Sequence, residues 1–332
     1  MYRRYYLFRH VSWVQLFLIF CLAYIVSFPF DLNFLPHPGR FCAPFFEFLA
    51  SWSAQNIFDI KRELSYELLS DSTALYVHLF NLFVISLVTS VILSFISLKQ
   101  INSGKVHHWF IVILSYYLAF QFLSYGFNKI FKVQFYMPEP NIMYTTVGDM
   151  HKDILYGTAI GSSRPYTVFL GIMEVIPAFL LFFKRTRLIG SILAFGVLLN
   201  IVLINFSFDI SVKINASFVL LLSVIIMYYY REKLALLLSL NSFSFPKKFR
   251  PNYNSNKKKT NYYLVKTLVI FLIFADLLFG YVKNDIYNDD EVKRPLFHGA
   301  YSIDGEENLF QSIPIKRVFF HRRAYLIVQD EN

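Results

Sequence analysis

Apolar residues gather in seven stretches along the chain, at 13–30, 75–98, 109–127, 166–183, 189–205, 212–230 and 264–282. Each is near the roughly 20 residues that a helix needs to cross a bilayer core. The connections differ in kind. The first, 31–74, is long, carries Phe41, Phe45, Phe46 and Trp52, and predicts an interfacial helix over 45–69 lying on the outer leaflet. The third, 128–164, contains Pro138-Glu139-Pro140, after which 141–159 has helical potential. The fourth and fifth connections are short, so the fourth to sixth helices are predicted to be antiparallel neighbours. After Lys283 the periodicity changes: 300–303, 315–320 and 324–328 read as strands, with Asp304-Gly305 as a turn signal. Two or three strands do not bury a core alone. Either this tail packs on the membrane domain, or the chain stops partway through a small outer β-domain. The second is expected, because the last apolar strand ends four residues before Asn332.

Charge orients these elements. Lys and Arg concentrate on cytoplasmic loops of membrane proteins, and here they fall on alternate connections. The leader has Arg3, Arg4 and Arg9; the second loop has Lys99 and Lys105; the fourth is Lys184-Arg185-Thr186-Arg187. The sixth holds Arg231, Lys233, Lys247, Lys248, Arg250 and Lys257-Lys258-Lys259. The predicted topology is N-terminus inside, C-terminal tail outside. With 56% hydrophobic and 16% charged residues, the balance is that of a polytopic membrane protein. The net charge of +10 sits beside helix ends, where it suits anionic headgroups rather than nucleic acid. The first stretch lacks an A-x-A-like site and reads as a retained anchor. Cys21 and Cys42 form no C-x-x-C and imply no disulfide framework. The expected architecture is therefore all-α, with about seven transmembrane helices and a short extracytoplasmic β tail. It divides into a two-helix segment with a long outer loop (1–108), a four-helix membrane bundle (109–240), a basic cytoplasmic linker (241–263), a seventh helix (264–282) and a β segment (283–332).

Polar groups inside the spans are the candidates for chemistry. An ionisable side chain there costs about 2.5–3.5 kcal/mol on insertion scales and by default faces a bundle interior or cavity. Glu174 lies near mid-depth of the fourth helix, three residues after Gly171 and three before the helix-breaking Pro177. On the third helix, Gln121, Tyr125, Asn128, Lys129 and Lys132 share one face, with Gly126 as a close-approach position. Asn200 and Asn205 fall in the outer half of the fifth helix, and Asp209 and Lys213 occupy the turn that follows. His78, Asn215 and Asp276 complete a set that lies between mid-membrane and the outer face. The expectation is an outward-facing polar pocket in which Glu174 exchanges protons. Gln121, Tyr125, Lys129, Asn200, Asn205, Asp209 and Lys213 are its ligand-binding candidates, and Gly126, Gly171 and Pro177 shape it. The competing reading is structural: such residues hydrogen-bond helices together, or snorkel to the interface. No nucleotide, Zn-protease or nucleophile-elbow motif occurs, and no metal site is expected.

Several of these residues stand in a recognisable order: Gly126-Phe127-Asn128-Lys129, Gly161-Ser162-Ser163-Arg164-Pro165, Gly171-Ile172-Met173-Glu174, the basic turn 184–187, and Asp209 to Lys213. Together they resemble the DoxX-like bacterial membrane proteins, in particular a longer subgroup, over about 110–238. The resemblance implies a four-helix bundle, with Gly126 and Lys129 as the family's G-x-x-K and Gly171 and Glu174 as its G-x-x-E. A Pro expected at Ser211 and a Trp near Tyr156 are absent. The family takes its name from a subunit of a thiosulfate:quinone oxidoreductase. The resemblance thus implies a bacterial cytoplasmic-membrane protein, not an enzyme by itself. Having no intrinsic redox centre, it would bind a quinone or similar small molecule, or support a redox partner. A non-catalytic scaffold that docks an extracytoplasmic protein is the alternative, and a small-solute transporter the third.

Overall fold

The protein is described by a computed structural model over residues 13–28, 32–35, 38–62, 64–95, 103–237, 256–302 and 315–330. Arg3, Arg4, Arg9, Lys99, Lys247, Lys248, Arg250 and the Asp304-Gly305 turn signal lie outside the described residues. The helices are α1 (Trp13–Ser27), α2 (Pro38–Asn56), α3 (Thr73–Phe95), α4 (Ser103–Ile130), α5 (Pro140–Met143), α6 (Lys152–Gly161), α7 (Arg164–Phe182), α8 (Arg187–Ser207), α9 (Lys213–Tyr229), α10 (Arg231–Leu237) and α11 (Asn256–Lys283). Three strands, β1 (Gly299–Ser302), β2 (Ile315–Phe320) and β3 (Leu326–Asp330), form an antiparallel sheet in that order.

Within the described residues each apolar stretch forms a helix. Among the described residues, α3, α4, α7, α8 and α11 make five helices long and apolar enough to cross a membrane, and α1 and α9 are shorter apolar helices. The chain is a multi-pass membrane protein.

Four elements differ from their sequence outlines, each for a local reason. In the first connection the helix is not 45–69 but α2. Pro38 suits a first helical turn, whose N–H has no partner. The helix stops where the Ile57 and Phe58 N–H groups both bond to the Ser53 carbonyl, at 2.9 and 3.2 Å. Asp59, at φ 51, then turns the chain away. The helix expected over 141–159 splits into α5, a 3-10 turn at Val147–Asp149 and α6, because the Thr146 hydroxyl bonds the Asp149 carboxylate and competes with the helix. The last helix starts at Asn256, inside the segment assigned to a linker; lysines are good helix formers. Finally, β3 begins at Leu326 rather than 324. Ala324 has φ 59 and closes a turn in which the His321 N–H bonds the Tyr325 carbonyl at 2.9 Å.

The fold comprises two compact units, Met1–Leu123 with Glu174–Gly280, and Ser124–Met173 with Tyr281–Asn332. In the first, α1 packs on α2 and α3, α2 on α3, and α8 on α9. Its interior is apolar, with Leu82, Leu114, Leu118, Leu181, Phe182, Leu222 and Ile226 all buried. Tyr24 anchors it: its ring lies 4.0 Å from that of Phe218, and its hydroxyl is 3.3 Å from Asn215 Oδ1. In the second unit, α4 and α7 cross where a Cβ on Gly171 would lie 2.6 Å from the Gly126 carbonyl oxygen. Glycine at that position lets the two backbones meet, as close-packed membrane helices require. The sheet belongs to this unit and packs on α5. Phe319 of β2 is buried, with the Tyr144 ring 5.9 Å away.

Candidate functional site

The residues selected from the sequence fall into different surroundings. In the first unit Glu174 is 3% exposed on α7, and Asn205 is buried near the end of α8. Asn205 Nδ2 has no hydrogen-bond partner among the described residues. Gln121 is buried on α4 and donates to the Tyr117 hydroxyl at 2.9 Å. Asn200, by contrast, is on an exposed side of α8. Asp209, at φ 55, forms an exposed ion pair with Lys213 at 2.6 Å, so these two residues shape the turn before α9. Pro177 lies inside α7, which continues through it to Phe182. In the second unit, the Lys129 ammonium is 5.7 Å from the Tyr125 ring centre and 5.9 Å from that of Phe135, a cation–π setting.

Three polar centres in the first unit, two buried and one half-buried, account for other polar groups. His78 is held at both ring nitrogens, with Ser27 Oγ 3.0 Å from Nε2 and the Tyr66 hydroxyl 3.2 Å from Nδ1. Asp276, fully buried on α11, accepts the N–H groups of Asn33, Phe34 and Leu35 at 3.1, 2.9 and 2.8 Å. Three backbone donors satisfy this carboxylate in place of water. Asp71 accepts the N–H groups of Lys213 and Ile214 at 2.8 and 3.1 Å, and so caps α9 across a long sequence gap.

The densest charged network lies in the second unit, at a residue the sequence did not single out. Glu139 is 4% exposed between two prolines, before α5. Its Oε2 is 3.1 Å from His298 Nε2 and 3.7 Å from His321 Nε2, and it accepts the Arg322 N–H at 3.2 Å. Its Oε1 accepts from the Arg322 guanidinium. Arg322 also reaches Asp289 Oδ2 at 2.6 Å, covers the Tyr136 ring at 3.9 Å, and shares Asp289 with Arg294 at 3.2 Å. The neighbouring acids extend the network: Asp290 pairs with the buried Lys132 at 3.0 Å, and Glu291 with Arg164 at 3.0 Å. The turn 288–291 is thus a hub that ties the end of α4, the start of α7 and the sheet hairpin into one unit. The only hint in the sequence was a carboxylate flanked by prolines in an otherwise uncharged stretch. Its partners lie 159 and 183 residues away, beyond the reach of any spacing rule.

Electrostatics give this network a direction with pH. Burial alone would raise the Glu139 carboxyl, but the hydrogen bonds from His298 and Arg322 and the Arg322 charge outweigh it and hold it below its ordinary value. Burial lowers His321, and the charges of Arg322, Arg323 and His298 add to this against the attraction of Glu139. Both groups therefore take up protons less readily folded than unfolded, so both lend stability that disappears as pH falls. The β2–β3 hairpin is expected to be uniformly stable above roughly pH 6.5, where a free histidine titrates. It should weaken below that value, and again as Glu139 becomes protonated. The mobility of a nitroxide at Leu326, exposed on β3, in a Cys42→Ser background measures this; a hairpin equally rigid at pH 7 and pH 4 would refute it.

Among the described residues no group of three or more His, Cys, Asp or Glu is placed to hold a metal ion. No family profile matches the chain, and no solved structure does. It is similar to the uncharacterized protein YwoB of Bacillus subtilis (strain 168), with 32% identity over 117 residues that make up 35% of this chain and 74% of that protein.

Proposed function

We propose that this chain, which belongs to the same family as that Bacillus subtilis protein, is a non-catalytic scaffold of the bacterial cytoplasmic membrane whose second unit docks an extracytoplasmic protein. The carrying observation is the Glu139 network. The buried charges Lys132 and Glu139 are bonded to partners within their own unit, which is what a rigid presenting platform needs. The charge pattern of the loops supports an outer position for the sheet and the loops of that unit. On it the sheet leaves Tyr301, Tyr325, Leu326 and Val328 exposed, and among the described residues β1 and β3 are the edge strands, the positions at which another chain could pair. Covalent cross-linking in native membranes, followed by purification in mild detergent, tests this. Wild type should carry a stoichiometric partner that Glu139→Gln loses, whereas a monodisperse lone protein in both samples would refute the reading.

A second reading keeps one specific observation. Glu174 and Asn205 are both buried in the first unit, and Asn205 has an amide donor with no partner among the described residues. With the DoxX-like resemblance, this supports a site for a quinone or similar carbonyl-bearing molecule, in a chain that serves a redox partner. Such a molecule would be present in organic extracts of wild type and missing from Glu174→Gln.

A further inference from the structure

We propose that α2 is seated in the bilayer leaflet on the side of the Asp71 cap, with one aromatic face in contact with lipid. Phe41, Phe45, Phe48 and Trp52 are exposed on α2, at i, i+4, i+7 and i+11. At about 100° per residue they fall within an arc of roughly 60°. The opposite side of the helix is buried: Ala50, Ser53 and Ala54 pack on α3. Small residues there bring the two helices close, so the aromatic stripe points away from the protein interior.

Depth follows from what α2 touches. The α3 helix begins at Thr73, two residues after Asp71, whose carboxylate caps α9 beside the exposed Asp209–Lys213 ion pair. Those charges mark the polar end of both helices. On α3, His78 meets the Phe46 ring at 5.1 Å, and Asn81 Oδ1 accepts from Ser53 Oγ at 2.7 Å. These two positions lie about 8 and 12 Å below Thr73 at the rise of an α-helix. An interfacial helix buries its apolar face about 5–10 Å into the headgroup and acyl boundary, which is where this packing holds α2. Continuity with the lipid-facing surface supports the same occupant. Over the same depth α3, a spanning helix, exposes Tyr76, Phe80 and Phe83, and the ring of Phe58, just beyond α2, meets Phe80 at 5.1 Å. Arg62 bonds the Thr73 hydroxyl at 3.2 Å, so a cation stands at headgroup level where the chain leaves the helix.

Trp52 reports this directly. The full chain carrying Trp13→Phe and Trp109→Phe, both at exposed positions, has Trp52 as its one indole. In nanodiscs, phosphatidylcholine brominated in the upper half of its acyl chains should remove most of the Trp52 emission, and aqueous iodide should remove little. Phe48→Trp, in a background with all three native tryptophans replaced by Phe, should behave the same way. Strong iodide quenching without a bromolipid effect would place the stripe in water and overturn the proposal. Protection from both quenchers would also overturn it, because a second copy or another protein would then cover the face.

Discussion

Glu139→Gln is expected to release the β2–β3 hairpin while leaving the helices of the first unit assembled. The substitution keeps the shape and removes the charge, so the Arg322 guanidinium, itself largely buried, loses one of its two carboxylate partners. Breaking one side of a buried ion pair costs about 3–5 kcal/mol, because the remaining charge stays desolvated. Asp289 still holds Arg322 at 2.6 Å, which puts the expected loss at the lower end of that range. A loss of that size is a large share of what an ordinary domain has in hand. Hydrogen exchange over 315–330 should rise by orders of magnitude, with the spanning helices unchanged. The double variant Glu139→Leu/Arg322→Met separates charge from geometry. It removes both charges together, leaves Asp289 to Arg294 and His298 without Glu139, and should recover part of the protection. Equal protection in wild type and Glu139→Gln would show that the network does not hold the hairpin.

Gly171→Leu carries the second large effect, and it acts through backbone rather than charge. A Cβ at Gly171 would lie 2.6 Å from the Gly126 carbonyl oxygen and 2.7 Å from Ile130 Cγ1. The first of these contacts is backbone and can yield only if α4 and α7 separate. Gly→Ala in a helix normally gains about 0.5–1 kcal/mol from reduced backbone freedom. Overpacking costs about 1–3 kcal/mol, so even Gly171→Ala should be neutral to destabilising. Leu adds a branched side chain at the crossing and should lower the melting temperature in detergent sharply or block assembly. Gly196 is the control: nothing lies within 4 Å of a Cβ there, so Gly196→Ala should be neutral or slightly stabilising. Equal melting temperatures for Gly171→Leu and wild type would remove the crossing as a structural requirement.

These two sites differ in how far they could be read from the chain. Gly171 was legible because close approach needs a missing side chain at a set point of an apolar helix, and that is local information. Its partner Gly126 followed from the same rule. The polar residues of the spans were legible as a set but not as a site. Periodicity put Lys129, Gln121 and Tyr125 on one face; what each touches depends on neighbours from elsewhere in the chain. Thus Gln121 bonds Tyr117 on its own helix, and Asp209 and Lys213 pair with each other. Asn200 turned to the exposed side of α8, since a helix face acquires meaning only once its neighbours are placed.

By itself, the amino-acid sequence determined the helical nature of every apolar stretch, the multi-pass membrane class and the strand character of the tail. Those properties depend on hydrophobic length and period, which need no partner. Only tertiary structure decided what the isolated polar groups do. Asp276 is satisfied by three backbone donors from residues 33–35, Asp71 caps a helix that starts at Lys213, and Glu139 meets Arg322. In each case a buried or half-buried carboxylate requires a partner, and the chain supplies it from more than a hundred residues away. That requirement can be read in the sequence; the identity of the partner is set by the fold.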